Sequence, residues 1–207
     1  QISNYLIKPV NPTQIFIACK NILEKVEIRN EHISKDFLSN YQLFNEKIQA
    51  ANSLEDWFEI HNDLCELIVK FDKIEDINLN NLLIEQTETA DKVFNQFISK
   101  EYENLVSNKE TKRLFTPYTI ENNLVNDLNN GDKGVLIIMD CLRSDQWKLM
   151  STSLFSDYKI ETNYQSSIIP STTFYSRNAI FSGLFPLDLY HHHPELYSKM
   201  TESENNL

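Results

Sequence analysis

An aspartate at the end of an apolar run is the residue in this sequence best placed for chemistry. Asp140 directly follows residues 135–139, which are apolar without interruption. Such a run predicts a buried parallel strand, and open α/β sheets place ligand-binding and catalytic groups at the carboxyl ends of those strands. A carboxylate there is costly to leave unpaired, so a metal ion or a strong hydrogen-bond network should hold it. An aspartate that caps the next helix is the alternative.

A pair of threonines, Thr172 and Thr173, lies at the predicted start of a helix that stops at Gly183. A hydroxyl there faces free backbone N–H groups, which also attract phosphate oxygens. An adjacent divalent metal could lower the pKa of the hydroxyl and make it a nucleophile, which is the chemistry of phosphoryl transfer. Arg177 could bind a substrate phosphate through two hydrogen bonds. The alternatives are a threonine that only caps the helix and an arginine that is simply exposed.

Histidines and cysteines are weaker candidates. The adjacent histidines 191–193 cannot all point at one metal ion, so a solvated turn is expected there. His61 lies on an apolar helical stripe and is expected to be a hydrogen-bonded core residue. The 3 cysteines are widely spaced and odd in number, which matches neither a disulfide framework nor a zinc knuckle. A reducing cytoplasm is therefore the predicted location.

The composition limits the class of protein. Hydrophobic residues make up 41% of the 207 residues, which is enough for a buried core. With 19 Lys and Arg against 30 Asp and Glu, the net charge is −11, and the chain repels a polyphosphate backbone. No stretch approaches the roughly 18 apolar residues of a membrane helix, and the N-terminus lacks a secretion-signal pattern. We therefore predict neither DNA binding nor membrane insertion.

Three kinds of segment must position these residues. Residues 5–7 predict a short strand, followed by a helix from Pro12 with one buried face. From Ile28 to about Asn108 apolar side chains recur at three- and four-residue steps, which predicts an antiparallel bundle of amphipathic helices. Ser53 and Asp56 have the spacing of a capping box at the start of one of them.

The last part of the chain has the pattern of α/β structure. All 3 glycines of the sequence lie beyond residue 130. A turn cluster at residues 129–134 precedes the apolar run that ends at Asp140, and residues 159–167 predict a second strand.

Two stretches together resemble the alkaline phosphatase superfamily, specifically its nucleotide pyrophosphatase and PglZ-like branches. Residues 135–145 are similar to the family's first strand with its metal-binding aspartate. Residues 170–186 are similar to its nucleophile segment, in which a Pro, a Thr-Phe pair and a closing Gly-Leu-x-Pro recur in order.

This resemblance implies specific roles. Thr173 is the implied nucleophile and Asp140 the first metal ligand, with Thr172 as the nucleophile if the register is shifted by one. Two zinc ions are expected in the complete site, with further Asp and His ligands after Leu207. Activity on phosphodiesters and nucleotides is the implied chemistry.

The N-terminal segment carries a second resemblance. The run Tyr5-Leu6-Ile7-Lys8-Pro9-Val10 resembles the last strand of a two-component receiver domain. This implies that Lys8 senses phosphorylation of an aspartate expected before Gln1. A receiver tail, a helical bundle and a phosphatase-type domain in this order resemble the PorX response regulators, which control type IX secretion. A sensor histidine kinase and a homodimer are the implied partners.

We therefore predict a multidomain α and α/β protein with three units. These are the C-terminal part of a receiver domain (1–27), a helical bundle linker (28–118) and the N-terminal part of a PglZ or alkaline phosphatase-like domain (119–207). The predicted function is a cytoplasmic response regulator with a zinc-dependent phosphatase or phosphodiesterase output acting on nucleotides or oligonucleotides. Asp140 and Thr173 should then converge on one divalent cation. The alternative is a non-catalytic signalling protein that dimerises on phosphorylation and binds other proteins.

Overall fold

The computed structural model describes the chain over residues 12–202, except for residues 73, 75, 155 and 156. Helices dominate this part of the chain. Lys8 and the strand predicted at residues 5–7 lie outside the described residues. Among the helices that are described, none combines the length and the apolar character needed to cross a membrane.

Three long helices form the predicted bundle: α1 (Pro12–Ala50), α2 (Leu54–Phe71) and α3 (Ile77–Ser107). Each helix packs against the other two. The ring of Trp57 in α2 meets Phe94 of α3 edge-on at 5.2 Å between centroids. Phe71, which ends α2, meets Phe37 in the middle of α1 at 5.0 Å, so the chain reverses direction between α1 and α2. The buried core side chains are Phe37, Ile48, Trp57, Ile60, Leu64, Phe71, Ile74, Leu79, Leu83 and Ala90.

Shorter helices make up the second half of the described chain: α4 (Asn126–Asn129), α5 (Ser144–Leu154), α6 (Thr173–Ser182), α7 (Pro186–His192) and α8 (Pro194–Glu202). Between the bundle and α4 lie 3-10 helices at Thr111–Leu114 and Thr116–Tyr118 and a π-helix at Glu121–Val125. As predicted, α6 ends at Gly183, whose φ of 68° is the left-handed conformation that glycine adopts at least cost.

The first half of α1 is exposed, so the prediction that one of its faces is buried is wrong. Ile15, Ile22 and Val26 lie on that face and are between 41% and 49% exposed. An apolar stripe becomes a buried face only where a partner covers it, and over the described residues no element does so. The same helix continues through residues 27 and 28, where the domain boundary stays a prediction.

The strands predicted for the last part of the chain are not formed in the residues that the structure describes. Residues 135–139 belong to neither helix nor strand and are exposed, Val135 by 85%. Residues 159–167 contribute only an isolated parallel bridge, between Ser166 and Phe115. A strand is stabilised by backbone hydrogen bonds to neighbouring strands, and in this part of the chain residues 135–139 have no such neighbour. The α/β arrangement of this part of the chain therefore stays a prediction.

The start of α2 has the predicted capping box. The N–H of Asp56 donates to Ser53 Oγ at 3.2 Å, and the N–H of Ser53 donates to Asp56 Oδ2 at 3.0 Å. The N–H of Asn52 donates to the same carboxylate oxygen at 3.0 Å. This last bond is the largest of the interactions that hold the pKa of Asp56 below its usual range. The local prediction is confirmed because every contact it needs lies within four residues.

Ser53→Ala is expected to lower the free energy of unfolding by about 1 kcal/mol, because the N–H of Asp56 loses its acceptor. Urea denaturation of the wild-type and variant proteins measures the change. Ser39→Ala is the matched control, since Ser39 is exposed and caps no helix. Its hydroxyl donates to the Asp36 carbonyl one turn back and accepts from Asn40 Nδ2 at 3.4 Å. Equal losses in the two variants would show that the box adds no specific stability.

Candidate functional site

The two residues singled out for phosphoryl chemistry lie next to each other in the structure. Thr173 Oγ1 donates to Asp140 Oδ2 at 3.3 Å, although the residues are 33 positions apart in the chain. Thr173 is half-buried and Asp140 is exposed. The structure thus brings the acid and the alcohol together, while their roles stay predictions.

The start of α6 determines where the threonine hydroxyls point. Thr172 occupies the N-cap position, but its side chain makes no capping hydrogen bond. Thr173 is the first residue of the helix, and its hydroxyl is directed at Asp140. Neither hydroxyl is therefore used to cap the helix, which was the alternative interpretation. The N–H groups of Tyr175 and Ser176 donate to the Thr172 carbonyl, which closes the first turn. The start of the helix, where the helix dipole favours negative charge, therefore lies beside Asp140.

The backbone beside Asp140 is strained. Cys141 has a φ of 59°, the left-handed region, which costs a residue with a side chain roughly 1 kcal/mol or more. The N–H of Cys141 donates to Asp140 Oδ1 at 2.9 Å, so one carboxylate oxygen is held by its own loop. The other oxygen faces Thr173. The strained turn therefore orients the carboxylate toward α6.

An ionic pair follows shortly after Asp140 in the chain. Arg143 donates through Nε and Nη2 to the two carboxylate oxygens of Asp145, at 3.0 and 2.5 Å. Asp145 is only 7% exposed, and the hydrogen bonds from Arg143 hold its pKa below the usual range. Since Asp145 lies at the start of α5, the pair fixes the turn between Asp140 and that helix. Spacing in the sequence does not predict this pair, because it depends on the shape of the turn.

Arg177 lies one helical turn after Thr173 on α6. Residues four apart lie on the same side of a helix, so Arg177 and Thr173 share a face. Arg177 is half-buried and already makes an interaction within the protein. Its assignment to a substrate phosphate stays a prediction.

The remaining histidines do not join the pair. Histidines 191 and 192 end α7, and His193 Nδ1 lies 3.8 Å from Glu195 Oε1 at the protein surface. His61 is hydrogen-bonded as expected, with its Nε2 2.9 Å from Ser144 Oγ, but it lies at the contact of α2 with α5 and keeps exposed surface. The prediction of a core position is therefore wrong. The surrounding protein still desolvates the ring, which lowers the pKa of His61.

The oxygen atoms of Asp140 and Thr173 could supply two of the ligands of a metal site. A carboxylate and a hydroxyl oxygen within 3.3 Å of each other can contact the same divalent cation. A zinc site requires about four ligands. Across the residues described, no group of three or more His, Cys, Asp and Glu side chains is arranged to hold a metal ion. Asp140 and Thr173 are thus compatible with a partial ligand set.

Comparisons with known families divide the chain into two matched parts. Residues 27–106 match the PorX response regulator linker domain, and residues 120–206 match the BREX system PglZ alkaline phosphatase-like domain. The first part contains most of the bundle, and the second contains both Asp140 and Thr173. No curated protein matches the chain.

Proposed function

We propose that this chain belongs to a response regulator whose output is a zinc-dependent phosphatase or phosphodiesterase. The match to the PorX response regulator linker domain, followed by the match to the PglZ alkaline phosphatase-like domain, supports this proposal. The observation that carries the proposal is the 3.3 Å contact between Thr173 Oγ1 and Asp140 Oδ2 at the start of α6. Nucleotides or short oligonucleotides are the proposed substrates. Assembly of the segment around Asp140 into an α/β sheet is part of the same proposal.

In the proposed reaction Thr173 Oγ1 gives up its proton to solvent and bonds to phosphorus while the bond between phosphorus and the leaving oxygen breaks on the opposite side. The leaving group departs as an oxyanion, which solvent protonates. Hydrolysis of the phosphothreonine by water then restores the hydroxyl. Members of the alkaline phosphatase-like superfamily usually use metal ions, which stabilise the attacking and leaving oxygens. In this chain Asp140 and Thr173 would hold one such ion.

The start of α6 supports this assignment electrostatically. The positive end of its dipole stabilises the charge of a phosphoryl group next to Thr173. Arg177, on the same helix face, is proposed to contact the substrate phosphate. These groups favour an anionic substrate locally although the net charge of the chain is −11.

The regulatory part of the proposal rests on the linker match and on the receiver resemblance. We assign Lys8 to phosphorylation sensing, and a sensor histidine kinase and a second copy of the chain to the partners. Cytoplasmic location and control of type IX secretion belong to this proposal.

Removing metal tests the enzymatic proposal. Treating the intact protein with a chelator is expected to lower hydrolysis of a bis-aryl phosphate at least about 100-fold, and zinc should restore it, because metal contributes several kcal/mol to transition-state stabilisation. The release of the aryl leaving group measures the rate. Unchanged hydrolysis after metal removal would contradict zinc dependence, and no hydrolysis with zinc present would favour the non-catalytic signalling protein.

A further inference from the structure

A polar contact joins helix α2 of the linker to the phosphatase-like segment at Asn62. Its Oδ1 accepts from Lys148 Nζ at 2.8 Å and from the Tyr164 hydroxyl at 2.9 Å. Its Nδ2 donates to Glu66 Oε1, one turn along α2, at 3.3 Å. One carboxamide of the linker therefore binds two separate stretches of the second half of the chain.

These two stretches carry the two candidate site residues. Lys148 belongs to α5, which begins four residues after Asp140. Tyr164 lies nine residues before Thr173. We name residues 140–148 the Asp140 limb and residues 164–173 the Thr173 limb. Asn62, which belongs to helix α2, therefore connects the two limbs by contacting both of them.

Further contacts hold the Asp140 limb on α2. His61 Nε2 lies 2.9 Å from Ser144 Oγ, and Lys148 Nζ lies 3.5 Å from Glu66 Oε1. The Lys148 side chain is only 23% exposed, so its hydrogen bond to a neutral amide oxygen is shielded from water. Asn62 thus lies at the centre of the contact between α2 and α5.

The Thr173 limb has additional anchors. Phe58 of α2 stacks on Tyr164 at 6.3 Å between ring centroids, and the N–H of Ile169 donates to the Tyr102 hydroxyl of α3 at 2.9 Å. Ser167 Oγ lies 3.0 Å from Ser176 Oγ of α6, which connects this limb to the helix that begins with Thr173. Without Asn62 the Asp140 limb keeps the contact of Ser144 with His61 and the 3.5 Å contact of Lys148 with Glu66. The Thr173 limb keeps a ring stack, a backbone hydrogen bond and its connection to α6, so the Asp140 limb should depend on Asn62 more strongly.

We propose that Asn62 is a positioning residue of the linker, which fixes the Asp140 limb relative to the Thr173 limb and so sets the contact between Asp140 and Thr173. The consequence for catalysis rests on the proposed function. The positioning itself does not, because it concerns the packing of this chain alone. The linker then contributes directly to the geometry of the site in addition to connecting two domains.

Hydrogen exchange of the intact protein tests the positioning. Asn62→Leu keeps the approximate size of the side chain and removes both acceptor contacts, so amide exchange in the Asp140 limb should rise about 10-fold and rise less in the Thr173 limb. Asn62→Asp keeps an acceptor oxygen and should restore slow exchange. Asn104→Leu is the matched control, because Asn104 makes a bond of the same kind within α3, to Glu101, and contacts neither limb.

Kinetics supply the second measurement. Asn62→Leu should lower kcat for a bis-aryl phosphate about 10-fold with little change in KM, because a displaced group harms the reaction more than binding. Unchanged exchange in the Asp140 limb, or faster exchange throughout the bundle as well, would overturn the proposal. Faster exchange of the limb with an unchanged kcat in an active enzyme would overturn it too.

The outcomes separate the two proposals. If Thr173→Ala hydrolyses the substrate as fast as the wild type, the proposed function fails, and the exchange data alone decide whether Asn62 positions the limbs. If Thr173→Ala is inactive and Asn62→Leu leaves exchange unchanged, the function stands and the positioning role is refuted.

Discussion

Thr173→Ala is expected to lower kcat for bis-aryl phosphate hydrolysis by at least about 10³-fold, because removal of a nucleophile can cost a hydrolase about 10⁶-fold in kcat. The substitution deletes the oxygen that would bond to phosphorus. It leaves the fold intact, because the deleted hydroxyl makes a 3.3 Å contact with an exposed carboxylate. Steady-state kinetics of the intact protein measure the loss, and urea denaturation checks that the free energy of unfolding is retained.

Two neighbouring variants control this experiment. Thr173→Ser keeps a hydroxyl in the same place and should retain a substantial part of the rate. Thr172→Ala removes an exposed hydroxyl that makes no capping bond, so its rate should stay near that of the wild type. A larger loss in Thr172→Ala than in Thr173→Ala would move the nucleophile by one residue, and a wild-type rate in both would refute the mechanism.

The helical bundle could be predicted because its signals are local. Helix α2 (Leu54–Phe71) combines a capping box at Ser53 with apolar residues at helical spacing, and both signals lie within the helix or next to it. The end of α6 at Gly183 is local in the same way. Such patterns determine where a helix begins and ends without reference to distant parts of the chain.

Burial could not be predicted in the same way, because it depends on partners. The stripe of Ile15, Ile22 and Val26 has the same periodicity as the stripes of the core, yet these side chains are exposed. Residues 135–139 have the composition of a buried strand, and in the described chain no neighbouring strand binds them. Periodicity and composition indicate which surfaces can be covered, and contacts far away in the sequence decide which surfaces are covered.

The candidate site also contains residues that local motifs predict and a residue that only long-range contacts reveal. Asp140 and Thr173 could be named from the resemblance of two motifs, and the structure places them in contact. Asn62 could not be named, since its partners Lys148 and Tyr164 lie 86 and 102 residues away and no spacing rule reaches that far. Contacts that position a site from another domain leave no local pattern in a single sequence.

Asp140→Asn is expected to weaken zinc binding by at least about 100-fold. Loss of a residue that only supports a metal ligand already costs about 10- to 100-fold in affinity, and loss of a ligand should cost more. Asparagine has nearly the same shape and can still accept the N–H of Cys141, so the strained turn can persist. It removes the negative charge that a divalent cation requires from a carboxylate ligand. Zinc content after dialysis and calorimetric titration with zinc measure the effect independently of hydrolysis, which should fall in parallel.

Asp132→Asn is the control for this charge change. Asp132 is an exposed acid in the turn cluster eight residues earlier, and its substitution alters the net charge equally. Zinc affinity should therefore stay at the wild-type value in Asp132→Asn. If Asp140→Asn binds zinc as tightly as Asp132→Asn does, the carboxylate is not a metal ligand. Its contact with Thr173 would then only orient the hydroxyl, and the proposed two-metal reaction would lose its link to this part of the chain.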